Sequence, residues 1–402
     1  MSKEREHFIK KFGTWSSGNA NIDKIIQESQ IEYPAYSLQW IPYENFHDTE
    51  RIADNKYYTL HLATLRNYMI YERDCIVALK ELKDYGYDIL KFFEAIKNIT
   101  VDEYRYFITR FFGISKNPST QNYIIVIESF NDTNYSFLFD IFLEIGWKSK
   151  RDLLHQIIGS LIMFHEENLV HCDLHSRNIS LKNSELDSLS ILIDPGLCKL
   201  SNDLTSSSNS KNNNVFGSIP YIPPEVLRGK EFTKEGDIYS LGGIMYEMAT
   251  GNQPFSDQAH DTYLIIDICH GVRPKVPDMM LNLIPKCYLD LMYRCWDDDP
   301  SKRPTTREIN SIIYTQYSYD VEKEFFDANL NRERMNKSHE QKLLRSLYNF
   351  HPQSCYISRE ICTLYKLQDS LEDIKSGKCA DPNLYTYYID SEESSKYIDL
   401  KT

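Results

Sequence analysis

His171-Cys172-Asp173-Leu174-His175-Ser176-Arg177-Asn178 follows an apolar stripe at helical spacing, Leu154, Ile157, Ile158, Leu161 and Ile162. A stripe that broad predicts a buried helix. Beyond Asn178 comes Asp194-Pro195-Gly196, led in by the strand-length run Ile191-Leu192-Ile193. Two carboxylates and an amide on adjacent loops beside a small hairpin suit phosphoryl transfer. One Asp can orient an attacking hydroxyl, while the other Asp and the Asn hold Mg²⁺ against nucleotide phosphates. Taken alone, an Asp with an Asn five positions on is a common pattern. The order of the pieces around it gives it weight.

On the N-terminal side, Val77-Ala78-Leu79-Lys80 places a cation on a strand. Ile89, Leu90, Phe93 and Ile96 repeat at helical spacing, and Glu94 on that helix can pair with Lys80. Tyr123-Ile124-Ile125-Val126-Ile127 reads as a second strand. On the C-terminal side come Gly217-Ser218-Ile219-Pro220-Tyr221-Ile222-Pro223-Pro224-Glu225 and a helix from Asp237 to Thr250, with Gly251 as its cap. Cys295-Trp296 and Arg303-Pro304 follow.

This ordered set resembles the eukaryotic protein kinase signature, over roughly residues 43–313. The resemblance implies an α+β, bilobal protein-kinase-like fold, with a small β-rich N-lobe (43–130) carrying the family's αC helix and a larger helical C-lobe (131–313). Residues 1–42 would be an N-terminal extension, and 314–402 a charged tail of unassigned role. Trp15-Ser16-Ser17-Gly18-Asn19, Gln39-Trp40-Ile41-Pro42-Tyr43 and His351-Pro352-Gln353-Ser354 look like the tyrosine-kinase-like kinases expanded in arbuscular mycorrhizal fungi.

Carried over position by position, Asp173 would be the catalytic base, and Lys80, paired with Glu94, would contact the α/β-phosphates of ATP. Asn178 and Asp194 would hold Mg²⁺. Ala78, Ile127, Glu128 and Phe130 would line the adenine pocket and its hinge, with Ser180 on its floor and Ile52 and Leu60 flanking the phosphate loop. Glu225 and Arg303 would form a buried ion pair. Asp237 would hydrogen-bond the catalytic-loop backbone.

The pattern also fails in places. Where G-x-G-x-x-G-x-V is expected the chain reads Ala53-Asp54-Asn55-Lys56-Tyr57-Tyr58-Thr59-Leu60. Glycine there lets backbone N–H groups approach phosphate, and Tyr58 cannot do the same. Asp54 adds negative charge near the phosphates. Cys172 replaces the Arg of H-R-D, and Pro195 the Phe of D-F-G. His175 stands where Ser/Thr kinases usually carry Lys, whereas Arg177 suggests some tyrosine kinases. Gly217-Ser218-Ile219-Pro220-Tyr221 matches the Ser/Thr form. The losses fall on the phosphate cradle and on regulation, while every residue of direct charge chemistry is kept. The expected function is therefore an ATP-dependent protein kinase, Ser/Thr favoured, acting on a protein substrate. The alternative is a pseudokinase, a nucleotide- or protein-binding scaffold.

The 402 residues carry a net charge of −13, which argues against nonspecific nucleic-acid binding. Nine cysteines form no C-x-x-C pair and fit reduced thiols better than a disulfide framework. No apolar window suits a membrane span or a signal peptide, so a cytoplasmic location is expected. Ile22, Ile25 and Ile26 form a face suited to docking on the body of the protein. Ser201 to Asn214 reads as a mobile polar loop. Phe325, Phe326, Leu343, Leu344 and Leu347 could sit on helices.

Overall fold

The computed structural model describes residues 3–54, 58–66, 74–83, 88–100, 108–129, 135–137, 145–183, 189–193, 199–201, 214–315, 319–334 and 350–384. The fold is the expected α+β, bilobal one, a β-sheet lobe on a helical lobe.

The small lobe is a six-stranded sheet in the order β1-β5-β6-β4-β3-β2. β1 is Gln39–Trp40, β2 Phe46–Asp54, β3 Tyr58–Leu65, β4 Cys75–Leu82, β5 Phe111–Lys116 and β6 Tyr123–Glu128. Strands buried on both faces read as continuous apolar runs. That explains Ile124–Ile127 on β6. Val126 and Ile124 enter a cluster with Val77, Leu79, Phe46 and Phe112 on one face. Ile125 and Ile127 join Ala78 and the helical core on the other.

The helical layer comes from two segments. Helix α1 (Lys3–Lys11) and helix α2 (Ala20–Glu32) belong to the N-terminal extension, and α3 (Ile89–Ile99) carries Glu94. Ile22, Ile25 and Ile26 of α2 are buried in the core they share with Phe92, Phe93 and Ile96 of α3. The extension then adds β1 parallel to β5, Gln39 opposite Gly113. A Cβ at Gly113 would lie 2.0 Å from the Gln39 carbonyl oxygen, so this approach requires glycine.

In the large lobe α4 (Trp147–Glu166) buries Leu153, Leu154, Ile157, Ile158 and Leu161 completely. Behind it runs the helix Lys234–Thr250, buried on nearly every face and ended by Gly251 at φ +69°. The helix Tyr319–Glu333 buries Phe325 and leaves Phe326 exposed; Leu343, Leu344 and Leu347 lie outside the described residues. Short strands frame the cleft: β7 (Tyr135–Phe137), β8 (Leu169–Val170), β9 (Ile179–Asn183), β10 (Leu189–Ile193), β11 (Lys199–Leu200) and β12 (Asn214–Gly217). Residues 202–213, most of the polar loop, lie outside the described residues.

The tail segment 350–384 folds back onto the large lobe. Its strand β13 (Arg359–Cys362) pairs antiparallel with β12, Gly217 opposite Arg359 and Asn214 opposite Cys362. Among the described residues no helix is long and apolar enough to cross a membrane.

Candidate active site

Asp173 sits in the turn after β8, and the loop around it is held from behind. The Asp237 carboxylate accepts the backbone N–H of His171 at 2.8 Å and of Cys172 at 3.1 Å. It also contacts His165 Nε2 at 2.9 Å. All four residues are buried. Cys172 has φ +65°, an unfavourable conformation for a residue with a side chain. The grip of Asp237 on two consecutive amides offsets that cost. The Cys172 thiol donates to the Val170 carbonyl.

Asn178 donates from Nδ2 to the Asp173 carbonyl at 2.7 Å. The amide thus spends its N–H on the loop and keeps its carbonyl oxygen, the hard donor type that Mg²⁺ takes. The donor chemistry fits the metal. Asp194, its expected companion, lies outside the described residues, directly after β10.

The expected ion pair between Glu225 and Arg303 is present. Arg303 donates to both carboxylate oxygens of Glu225 at 2.7 and 2.8 Å, with both side chains buried. Arg303 also donates to the Asp297 and Glu235 carbonyls, so its donors are satisfied. Tyr221 donates to Glu247, and its ring lies tilted 5.9 Å from the His175 ring. Burial raises the Glu247 carboxyl to about 7, against the Tyr221 hydrogen bond that lowers it.

The N-lobe half differs from expectation. Glu94 does not pair with Lys80. Its carboxylate is 2.5 Å from Lys97 Nζ, one turn along the same helix, and its side chain is 43% exposed. Lys97 is buried and also bonds Glu28 of α2 at 3.2 Å. Burial lowers the Lys97 pKa, but the hydrogen bonds from Glu94 and Glu28 outweigh it and hold the ammonium above its ordinary value. Helix α3 therefore turns its acid toward the N-terminal extension. The physical reason is proximity: an i,i+3 partner already held by a second acid captures the carboxylate.

Lys80, buried on β4, places Nζ 4.4 Å over the ring of Tyr58. Tyr58 is the residue in the third glycine position, so the bulk expected to spoil the phosphate loop covers the cation instead. Asp54 is countered by Lys83, Arg51 and Thr59, with Lys83 Nζ at 2.5 Å, and these hold its carboxyl below the usual range. Its charge is thus largely neutralised locally.

Ala78 and Ile127 are register partners on β4 and β6, both buried, and Glu128 follows at the strand end with its N–H on the Arg110 carbonyl. Ile52 and Leu60 lie half-buried on β2 and β3. Ser180 lies on β9 opposite Leu192 of β10. Phe130 lies outside the described residues.

Sequence reasoning missed one residue at the centre. Ser358, just before β13, donates its hydroxyl to Asp173 Oδ1 at 2.7 Å. The Ser358 Oγ is also 2.9 Å from His175 Nε2. With the Ser358 proton given to Asp173, Nε2 is the donor, and His175 Nδ1 has no partner among the described residues. No local signal marks Ser358 in a tail of mixed composition.

A family model, protein kinase domain, matches residues 65–315, more than half of the chain. Receptor-interacting serine/threonine-protein kinase 4 of Mus musculus is 30% identical over 42% of this chain and 22% of its own length. Mitogen-activated protein kinase kinase kinase mkh1 of Cytospora mali is 31% identical over 39% of this chain and 8% of its own. Dual specificity protein kinase shkE of Dictyostelium discoideum is 32% identical over 35% and 19%. The chain spans under a third of the length of the curated relatives it matches.

Proposed function

The chain belongs to the protein kinase family, and we propose that it transfers the γ-phosphate of Mg·ATP to a serine or threonine hydroxyl of a protein. The observation that supports this best is the catalytic loop, in which Asp237 and Asn178 pin the turn that presents the Asp173 carboxylate. In this reading Asp173 orients the acceptor hydroxyl and takes its proton, which is the role of the catalytic-loop Asp in phosphoryl transfer. Lys80 offers its ammonium to the nucleotide phosphates once the Tyr58 ring yields. Asn178 and Asp194 would hold Mg²⁺, which when bound neutralises phosphate charge. Ala78, Ile127, Glu128 and Phe130 would bound the adenine. Catalysis here is positioning and electrostatics, which tolerate a poor phosphate loop better than a lost carboxylate. Serine and threonine are favoured over tyrosine by the Gly217-Ser218-Ile219-Pro220-Tyr221 segment and by the names of the relatives. The assignment to the tyrosine-kinase-like group rests on the short flanking motifs alone. A protein acting without a membrane span and in the cytoplasm is the setting this reading assumes.

One observation favours the second reading, a scaffold without turnover: Glu94 is held by Lys97 and not by Lys80. Single-turnover transfer from Mg·[γ-³²P]ATP to a generic protein substrate decides between them, with Asp173→Asn prepared alongside. Labelling by wild type and loss of at least most of it in the variant is the expected result, with phosphoserine or phosphothreonine as product. No transfer from a folded wild type at millimolar ATP leaves the scaffold.

A further inference from the structure

We propose that Ser358 is this kinase's own phosphoacceptor, phosphorylated within the same chain, and that the phosphate then expels the tail from the cleft; this rests on the kinase reading above. Three observations converge. The Ser358 hydroxyl is the group bonded to the proposed base, at 2.7 Å, with His175 Nε2 2.9 Å from the same oxygen. The segment that carries it enters as a substrate peptide would, as an added strand. β13 pairs with β12 through four residues, which is recognition by main-chain hydrogen bonds with side-chain pockets for specificity. At the end of β12 stands Gly217, φ +152°, where a Cβ would come 3.5 Å from Asp173 Oδ1. The backbone beside the base is left bare where the acceptor arrives.

The docking is specific on both sides of Ser358. Ile361 is fully buried, and Tyr356 is buried with its hydroxyl on the Pro254 carbonyl at 3.0 Å. Arg359 donates to the His260 and Asn383 carbonyls. His260 and Cys355 exchange further contacts, at 2.7 and 2.9 Å. An accidental contact of a loose tail would not bury its anchors on each flank of one serine.

The step balances as an ordinary transfer. The Ser358 Oγ–H bond breaks, with its proton going to Asp173. An Oγ–P bond forms to the γ-phosphorus of ATP, the bond to the β,γ-bridging oxygen breaks, and ADP leaves with the electron pair. The product carries a charge of roughly −1.5 to −2 beside a carboxylate, which favours its departure. The unphosphorylated tail meanwhile keeps other acceptors from Asp173.

The test incubates the full chain with Mg·[γ-³²P]ATP and a generic protein substrate in one tube, then maps the labelled peptides. Expected are label on Ser358 at a rate unchanged across a protein dilution series, and a lag in labelling of the added substrate. Ser358→Ala should lose the tail label while still labelling the substrate. Ser358→Glu should abolish the lag. Substrate labelled but Ser358 bare overturns the inference and leaves the kinase reading standing. A rate that falls in proportion to dilution overturns the intrachain claim, and equal Ser358 label in Asp173→Asn exposes a contaminating kinase and overturns it too. Transfer to neither acceptor removes the kinase reading, and the inference with it.

Discussion

The two halves of the cleft are built by different physics. On the C-lobe side the expected polar groups meet their expected partners: Asp237 on two backbone amides, Asn178 on the Asp173 carbonyl, Arg303 forked onto a buried Glu225. On the N-lobe side the two charged residues meet other groups: Glu94 is on Lys97 with its side chain 43% exposed, and Lys80 lies over Tyr58. A buried polar group left unpaired costs several times more than an exposed one, so only one arrangement of the C-lobe half is tolerable. On the N-lobe side both lysines are buried but the Glu94 side chain is 43% exposed, so water can solvate the carboxylate and its choice of partner is worth about a kilocalorie or less. The loop of the proposed base, Asp173, is thus fixed by the fold, while Lys80 and Glu94, proposed to serve the nucleotide, are set by a balance that small changes can tip.

The hardest break in this comparison is Arg303→Met. It strands the Glu225 carboxylate in the core and should destabilise the C-lobe by about 3–5 kcal/mol. Denaturant unfolding measures it. A double variant, Glu225→Leu with Arg303→Met, should recover much of the loss, because no charge is then left buried unpaired. If the single variant costs under about 1 kcal/mol, the range for exposed pairs, the pair is not the buried constraint its geometry indicates.

The same difference governs what the sequence made legible. Val77–Lys80, Tyr123–Ile127, the stripe from Leu154 to Ile162 and the helix ending at Gly251 were readable because burial imposes periodicity on them. Their elements appear as β4, β6, α4 and Lys234–Thr250. The Glu225–Arg303 pair and the Asp237 contacts followed from motif order, since buried networks tolerate few alternatives. The Glu94 partner was not legible. Lys97 lies one turn from Glu94 on the same helix, and the deciding contact, Glu28, comes from the N-terminal extension, 69 residues before Lys97. The arrival of Ser358 at Asp173, 185 residues along the chain, leaves no periodic or compositional trace either. β13 is only four residues long and pairs with a strand that is itself four residues.

Tyr58→Gly sharpens the N-lobe side. The ring over Lys80 Nζ must give way before a phosphate takes that ammonium. A cation–π contact of this kind is worth about 0.5–2 kcal/mol, so removing it should tighten Mg·ADP binding by about two- to thirtyfold, read by calorimetry. Glycine also restores the backbone freedom the phosphate loop lacks. Weaker binding in the variant would mean that the ring helps hold the nucleotide.

The smallest effect tests the balance itself. Lys97→Met removes the partner that holds Glu94 outward and leaves the helix with a residue of good propensity. Glu94 is then released to meet Lys80, the partner proposed for it. Because Glu94 is 43% exposed, its pair falls in the solvent-screened range of about 0.2–1 kcal/mol, and the expected gain in nucleotide affinity is at most about fivefold. Lys97 also ties α3 to the extension through Glu28, so a change could arise from looser docking of α2. Glu28→Gln separates the two: it weakens the tie to the extension and leaves the Lys97–Glu94 pair in place. Tighter binding in Lys97→Met alone shows that capture of Glu94 is what holds the N-lobe half apart. Equal gains in both variants would transfer that control to the extension, with α2 acting on α3 through a single lysine.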